Sequence, residues 1–444
     1  MTVPFALMRL FLALILAVLA LPAPAQDGPI RTYTGTFALT NARIETVANG
    51  VIEKGTVVLR DGRIEAVGAN VPTPADAEVI DCTGLTLYPG FIDGGTRIGL
   101  QEVGSLSETQ DYNEIGRFTP QMQALTAINP NSVHVAVTRV SGVTTVLSVP
   151  SGGTMPGTAA LVNLHGYTPG QMFAGFRGVV LNFPSSARAG PWDRRSDADV
   201  EKQFNEAMER LDEVWAQAVL FARIASAATA EDREPEPYYQ PEMEALLPVV
   251  RGERALLVNV NRAADILKAL EWLEDKPVRA ILTGVAEGWR VADRIAEAGL
   301  PVVTGPVLAL PTRASDRYDR AYQNAALLHA AGVEVALQTQ ETENVRNLPF
   351  HAGFAAAWGE EVGFDRQDAL EAVTLAPARI FGVADRLGSI EAGKAATLFA
   401  ADGDPFEPRT QVVHLFIDGY RIPLASRQTA LYEEFLDRNP GLAK

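Results

Sequence analysis

Cysteine occurs once in the 444 residues, at Cys82. A single thiol excludes an internal disulfide, so the fold must be held by its own core, which a chain of this length can supply. Cys82 follows the strand-like run EVID and has no base beside it. It reads as a small buried filler, not a catalytic thiol. Histidine is nearly as scarce, with only His134, His165, His329, His351 and His414. No two of them lie two or three residues apart, so no local metal-binding pair exists. Basic runs are absent and the formal net charge is −16. That balance argues against nucleic acid or an anionic membrane surface as a partner. There is no short-period repeat and no low-complexity tract. Apolar residues make up 47% of the chain, with glycine and proline well spread, which indicates a large folded core.

The first 25 residues form a separate unit. Arg9 ends a weakly positive start, residues 10–21 (LFLALILAVLAL) are uninterruptedly apolar, and Ala23-Pro24-Ala25 offers small residues around a cleavage point. This is the pattern of a signal peptide, with Gln26 as the mature start. The run falls short of the ~20 apolar residues that a membrane span needs, and no later stretch is long and apolar enough. The expectation is an exported protein, periplasmic or extracellular, with no membrane attachment after cleavage.

Residues 36–84 alternate apolar and polar positions around the turn signals Asn49-Gly50 and Asp61-Gly62, the pattern of short antiparallel strands. A second such patch covers residues 385–425, with Asp418-Gly419 as its turn. Domain termini often lie close together, so the two patches are expected to pair into one composite β-sandwich. Residues 85–384 instead alternate short apolar runs with helical periodicity. The runs are LTLYPGFID, GVTTVLSV, AALVNL, RGVVLNF, ALLVNVN, RAILTGV, LPVVTG and VEVALQT. Eight strands with intervening helices imply a parallel (β/α)8 barrel of TIM type, weakest between the third and fourth runs, where no clear helix intervenes. The longest helix is expected over residues 197 to about 227, with Val200, Phe204, Met208, Leu211, Trp215 and Ala218 on one face. A Pro- and Glu-rich stretch, DREPEPYYQP, reads as a surface loop.

VIDCTGLTLYPGFID, the barrel, and the return segment LGSIEAGKAATLFAADGDP together closely resemble the metal-dependent amidohydrolase superfamily. RNLPFHAGFAAAWG and TLAPARIFGV resemble the last barrel loop and closing helices of its imidazolonepropionase-like branch. The resemblance spans residues 36 to about 430. It implies hydrolysis of C–N bonds, usually in rings, with zinc or another divalent metal activating a water at the C-terminal mouth of the barrel. It also implies where the ligands and base should stand, and the residue types there differ. In place of the two histidines after the first strand stand Gly95 and Arg97. The fourth strand offers Asn182, the fifth Asn259, the sixth Gly284 to Ala286, and the eighth Gln340 in place of the general-base aspartate.

The degenerate metal positions are therefore Gly95, Arg97, Asn259, Gly284 and Gln340, and no cofactor is expected. Arg97, Asn182, Asn259, Glu287 and Gln340 are the candidate ligand-binding residues of the mouth. A guanidinium is a fixed positive charge with a planar fork of donors, and side-chain amides both donate and accept. Such a set suits a small polar or anionic ligand. The competing structural role for Arg97 is a salt bridge to Glu102, Asp111 or Glu114. The expectation is a non-catalytic relative that binds a small polar ligand or pairs with an active paralogue, as a homo-oligomer or a hetero-oligomer with a related amidohydrolase. The alternative is an active hydrolase on cyclic amide-like bonds. Its base would be Glu287, Glu341 or Asp111, with Arg97 as electrophile, or it would hold a metal through His165 and His351. Asp93 is expected to serve the strand-end turn. Ser151-Gly152-Gly153-Thr154 resembles a phosphate loop only in its glycines, and Ser185-Ser186 lacks the partners of a serine nucleophile.

Overall fold

The hairpin signals are realised at both ends of the chain. In the computed structural model, which describes residues 34–188, 190, 192–230 and 240–438, strands β1 (Phe37–Glu45), β2 (Val51–Arg60) and β3 (Arg63–Gly68) form an antiparallel meander. Strands β4 (Glu78–Asp81) and β5 (Thr86–Pro89) both run parallel to β1, along its two halves. The signal segment 1–25 and most of the DREPEPYYQP stretch lie outside the described residues.

The barrel strands follow: β6 (Phe91–Thr96), β7 (Val143–Ser148), β8 (Thr158–Asn163), β9 (Phe173–Asn182), β10 (Ala255–Val260), β11 (Ala280–Gly284), β12 (Val302–Thr304) and β13 (Val335–Leu337). The chain then returns as β14 (Leu398–Ala401), β15 (Val412–Ile417) and β16 (Tyr420–Arg421), which add to β5 in the order β16-β15-β14-β5-β1-β2-β3. The composite unit is thus one hydrogen-bonded sheet. It curls round a core that includes Phe37, Leu39, Leu59, Leu398 and Phe416. Its far edge is tied back by Ile64 N donating to Lys394 O (2.9 Å) and Ala396 N to Gly62 O (2.9 Å). The tips of the two hairpins touch there. Gly62 (φ +77) and Gly419 (φ +77) both need the left-handed region, and a Cβ on Gly419 would lie 2.5 Å from the Gly62 Cα.

The eight apolar runs are the eight barrel strands, in the sheet order β6 through β13. One correction concerns direction. β8 runs antiparallel to both β7 and β9, while all other neighbours are parallel. The connections 149–157 and 164–172 are too short for the crossover that a parallel pair needs. The helix foreseen from residue 197 is present as Asp197–Ala230, and its apolar face packs against the helix Pro241–Val250 and the barrel wall.

Strand alternation sorts the side chains. On β10, Leu256, Val258 and Val260 face the helices, whereas Ala255 and Leu257 join the interior cluster with Ile92, Leu147, Val180, Ile281, Val303 and Ala336. Ala378, Ile380, Phe381 and Leu387 plug the bottom of that interior. Above the inner cluster, the C-terminal ends of the parallel strands carry polar residues.

The ring is sealed between β6 and β13 without a strand ladder. Asp93, fully buried, accepts from Gly95 N (2.9 Å), Thr339 N (3.2 Å) and Thr339 Oγ1 (2.6 Å). Gln340 N then donates to Gly95 O at 2.9 Å. Burial pushes the Asp93 carboxyl up to about 7, against the downward pull of these three donors. Asp93→Ala would orphan all three donors in a buried seam. It is expected to lower stability by roughly 2–4 kcal/mol, and Thr339→Val by about 1 kcal/mol, read from urea unfolding at neutral pH.

Candidate functional site

The interior face of the strands continues into a polar layer at the mouth. Asn182, Asn259 and Thr283 stand side by side across β9, β10 and β11, since Asn259 is in register with both of the others. Asn259 Nδ2 donates to Asn182 Oδ1 (3.0 Å), and Asn182 Nδ2 donates to Gly153 O (3.0 Å). Gly284 (φ +81) borders this layer because a Cβ there would lie 2.5 Å from Asn261 Oδ1 and 2.9 Å from Asn259 Oδ1.

A cavity of about 180 Å³ opens above the layer. It is lined by Gly94, Gly95, Thr96 and Arg97 after β6, Ser151 after β7, Asn182, Asn259 and Asn261, Thr283, and Gln338 and Gln340 after β13, over an apolar floor that includes Leu147, Val180 and Leu257. Gln338 is only 3% exposed and its Nε2 has no hydrogen-bond partner. It occupies the room that a side chain at position 95 would need, since a Cβ on Gly95 would fall 2.2 Å from Gln338 Oε1. Gln340 holds a left-handed backbone (φ 57), as does Val285 (φ 52) at the end of β11. For a β-branched residue such as Val285 that conformation is strained, and such strain gathers at functional mouths.

Four of the five residues expected to bind a ligand, Arg97, Asn182, Asn259 and Gln340, come together in this lining. The Arg97 guanidinium lies 4.5 Å from the centroid of the Tyr112 ring and makes no ion pair among the described residues. The salt bridge to Glu102, Asp111 or Glu114 is therefore not formed. Glu102 instead accepts from Asn129 Nδ2 at 3.0 Å.

Glu287 is placed elsewhere, fully buried behind the mouth. It accepts from Ala263 N (3.0 Å), Thr312 Oγ1 (2.8 Å), Arg313 Nε (2.7 Å) and Arg313 Nη2 (2.6 Å). One carboxylate thus caps the helix Ala263–Leu273 and pins the loop after β12. Burial works to raise the Glu287 carboxyl, but the Arg313, Ala263 and Thr312 hydrogen bonds hold it down at about 2.

The remaining candidates for an acid, base or metal ligand do not converge. Glu341 and Asp111 are exposed and outside the cavity lining. His351 is buried in the helix Leu348–Gly359, where its Nδ1 accepts from Val307 N (3.2 Å) and burial lowers its pKa to about 4. His165 follows β8, and because that strand is antiparallel it emerges at the opposite end of the barrel. Its ring lies 4.7 Å from that of Tyr420, and burial, then the charge of Arg139, lowers its pKa to about 4. The expected approach of His165 to the mouth is thereby overturned. Ser185 and Ser186 both donate their hydroxyls to Asp265. Among the described residues, no group of three or more His, Cys, Asp or Glu side chains is arranged to hold a metal ion. The donor set of the cavity itself does not suit one. Its side chains are neutral amides and hydroxyls around a guanidinium, whose charge repels a cation.

The residues missed by sequence reasoning are Asn261, Thr283 and Gln338. Each is two residues from, or in register with, a residue that was singled out, so strand alternation carried the signal for them.

A model of the amidohydrolase family matches residues 272–425. The amidohydrolase tasK of Hapsidospora irregularis is 25% identical over 404 residues, covering 82% of this chain and 39% of that protein. An imidazolonepropionase of Mesorhizobium japonicum is 39% identical over 74 residues, 15% of this chain and 18% of that protein. The chain thus spans well under half the length of the curated relatives it matches first. Among solved structures, an amidohydrolase from Thermotoga maritima MSB8 superposes with a TM-score of 0.75 at 26% identity, covering 87% of this chain and 99% of that one. A molinate hydrolase gives 0.54 at 18% identity over 88% and 96%, a likeness of fold.

The Glu287 staple has a pH signature. A carboxyl held at about 2, below its ordinary value of 4.5, contributes stability that is complete above pH 4.5 and lost as pH falls toward 2. Urea midpoints compared at pH 5 and pH 3 are expected to drop less for Glu287→Gln than for the native chain, because that part of the acid sensitivity is removed.

Proposed function

The chain belongs to the amidohydrolase superfamily, and within it we propose a non-catalytic member that binds a small polar ligand at the barrel mouth. The observation that carries this reading is the chemistry of the cavity lining. Metal-assisted hydrolysis needs lone pairs of imidazole or carboxylate to hold the ion, and a base to manage the proton of the attacking water. The lining supplies amides, hydroxyls and the Arg97 guanidinium. The buried carboxylates nearby are committed, Asp93 to the barrel seam and Glu287 to Arg313. Neutral amides orient a ligand through donors and acceptors and leave water unactivated.

The same reading assigns no metal cofactor to the chain. It makes the protein an exported one, released from its first 25 residues with Gln26 as its new start. Self-association, or pairing with a related, active amidohydrolase chain, belongs to the same proposal.

Elemental analysis of the mature protein, purified without chelator and then titrated with zinc, tests the central claim. Far less than one metal per chain and no saturable uptake are expected. About one tightly held zinc per chain would overturn the reading in favour of an active hydrolase with an altered site. Cell fractionation with N-terminal sequencing of the mature chain is expected to recover Gln26 as the first residue outside the cytoplasm.

A further inference from the structure

The cavity does not end at the amide layer. Asn261 and Gln340 also line a second chamber, of about 250 Å³, beneath the loop after β12. The two chambers share those two amides as a common wall, and together they fall in the size range of roughly 300–1,000 Å³ that takes small-molecule ligands. Their chemistry differs. No carboxylate lines the first chamber, and its one ionised side chain is Arg97. The buried Gln338 adds an amide with an unpartnered Nε2 at its wall. The second chamber has an apolar wall of Pro306, Val307, Ala309, Leu310 and Pro311 with Trp289, and it is also bordered by two charged groups already engaged, Asp316 in an ion pair with Arg290 and Arg320 lying 4.8 Å from the centroid of the Trp289 ring.

The apolar wall is held in shape. Thr312 and Arg313 are pinned to Glu287, and Val307 N is pinned to the neutral His351 ring. Asn324 fixes the opposite side, accepting from Trp289 N (2.9 Å) and donating to Val285 O (2.9 Å) and Thr304 Oγ1 (2.8 Å). Leu310 remains 88% exposed at the rim.

We infer that the two chambers together bind a small carboxylate joined through an amide to an apolar group. The carboxylate lies against Arg97 and the Gln338 amide. The linking amide meets Asn261 and Gln340 at the shared wall, and the apolar group fills the chamber under Val307 and Leu310. This rests on the ligand-binding reading of the same cavity and adds the class of ligand. A guanidinium binds a carboxylate through paired, charge-assisted hydrogen bonds. Amides at the junction satisfy a polar linker that an apolar wall would leave unpaired.

Calorimetric titration with three probes tests it: benzoylglycine, its neutral analogue benzoylglycinamide, and acetylglycine, which lacks the ring. Benzoylglycine is expected to bind at least about tenfold more tightly than either of the others, the former gap reflecting the ion pair and the latter the buried ring. Arg97→Ala is expected to erase the preference for the acid over the amide. Ala309→Phe, which fills the second chamber, is expected to weaken benzoylglycine about tenfold and leave acetylglycine unchanged. Urea midpoints equal to that of the native chain certify that both variants fold. Equal affinity for acid and amide, an unchanged preference in Arg97→Ala, or no binding of any probe would overturn the ligand class. An unchanged benzoylglycine affinity in Ala309→Phe would overturn the role of the second chamber. Glycine release from benzoylglycine, followed in the same samples, separates the two claims. Its appearance would overturn the non-catalytic reading while leaving the ligand class standing.

Discussion

The mouth of this barrel depends on the carboxylate of Asp93. Between β6 and β13 there is no strand ladder, and the seam is made by Gly95 N, Thr339 N and Thr339 Oγ1 converging on one buried side chain. Those hydrogen bonds fix Gly95 against Gln338 and place Gln340 across from Gly95 O. The cavity floor, the Arg97 strand end and the shared wall between the two chambers all take their positions from that closure. Burial disfavours the charged carboxyl, so the surrounding donors are what allow it to serve there.

A second constraint comes from electrostatics at the mouth. The amide layer of Asn182 and Asn259 is bonded to itself and to the Gly153 carbonyl, so it is rigid and neutral. Set beside it, an arginine with no carboxylate partner among the described residues gives the cavity a positive bias in a chain whose net charge is −16. That local reversal of sign favours an anionic guest and disfavours a cation. The same geometry makes position 95 unavailable to a large side chain, because Gln338 already fills the space. Gly95 and Gln338 are thus a pair that fits together sterically.

Much of the fold was legible because its signals are local. Apolar runs gave the eight barrel strands, and helical spacing gave the helix Asp197–Ala230. Asp61-Gly62 and Asp418-Gly419 gave hairpins whose residues all adopt positive φ. The direction of β8 was not legible, since an apolar run reads the same whichever way it points. Only the short connections 149–157 and 164–172 carried that information. His165 was misplaced for the same reason. Glu287 was placed at the rim by its position after β11, but nothing local told that its side chain turns inward to Arg313, 26 residues away.

The sequence by itself determined the strand set, the β-rich ends that pair into one composite unit, and the residue types available at each strand end, because these rest on periodicity and composition. Tertiary structure decided which of those residues meet. It brought Arg97, Asn182, Asn259 and Gln340 into one cavity and added Asn261, Thr283 and Gln338. It withdrew Glu287 into the support of a loop. Side-chain direction at a strand end depends on the partner that the rest of the chain brings to it, and that partner here lies on another strand or loop, far off in sequence.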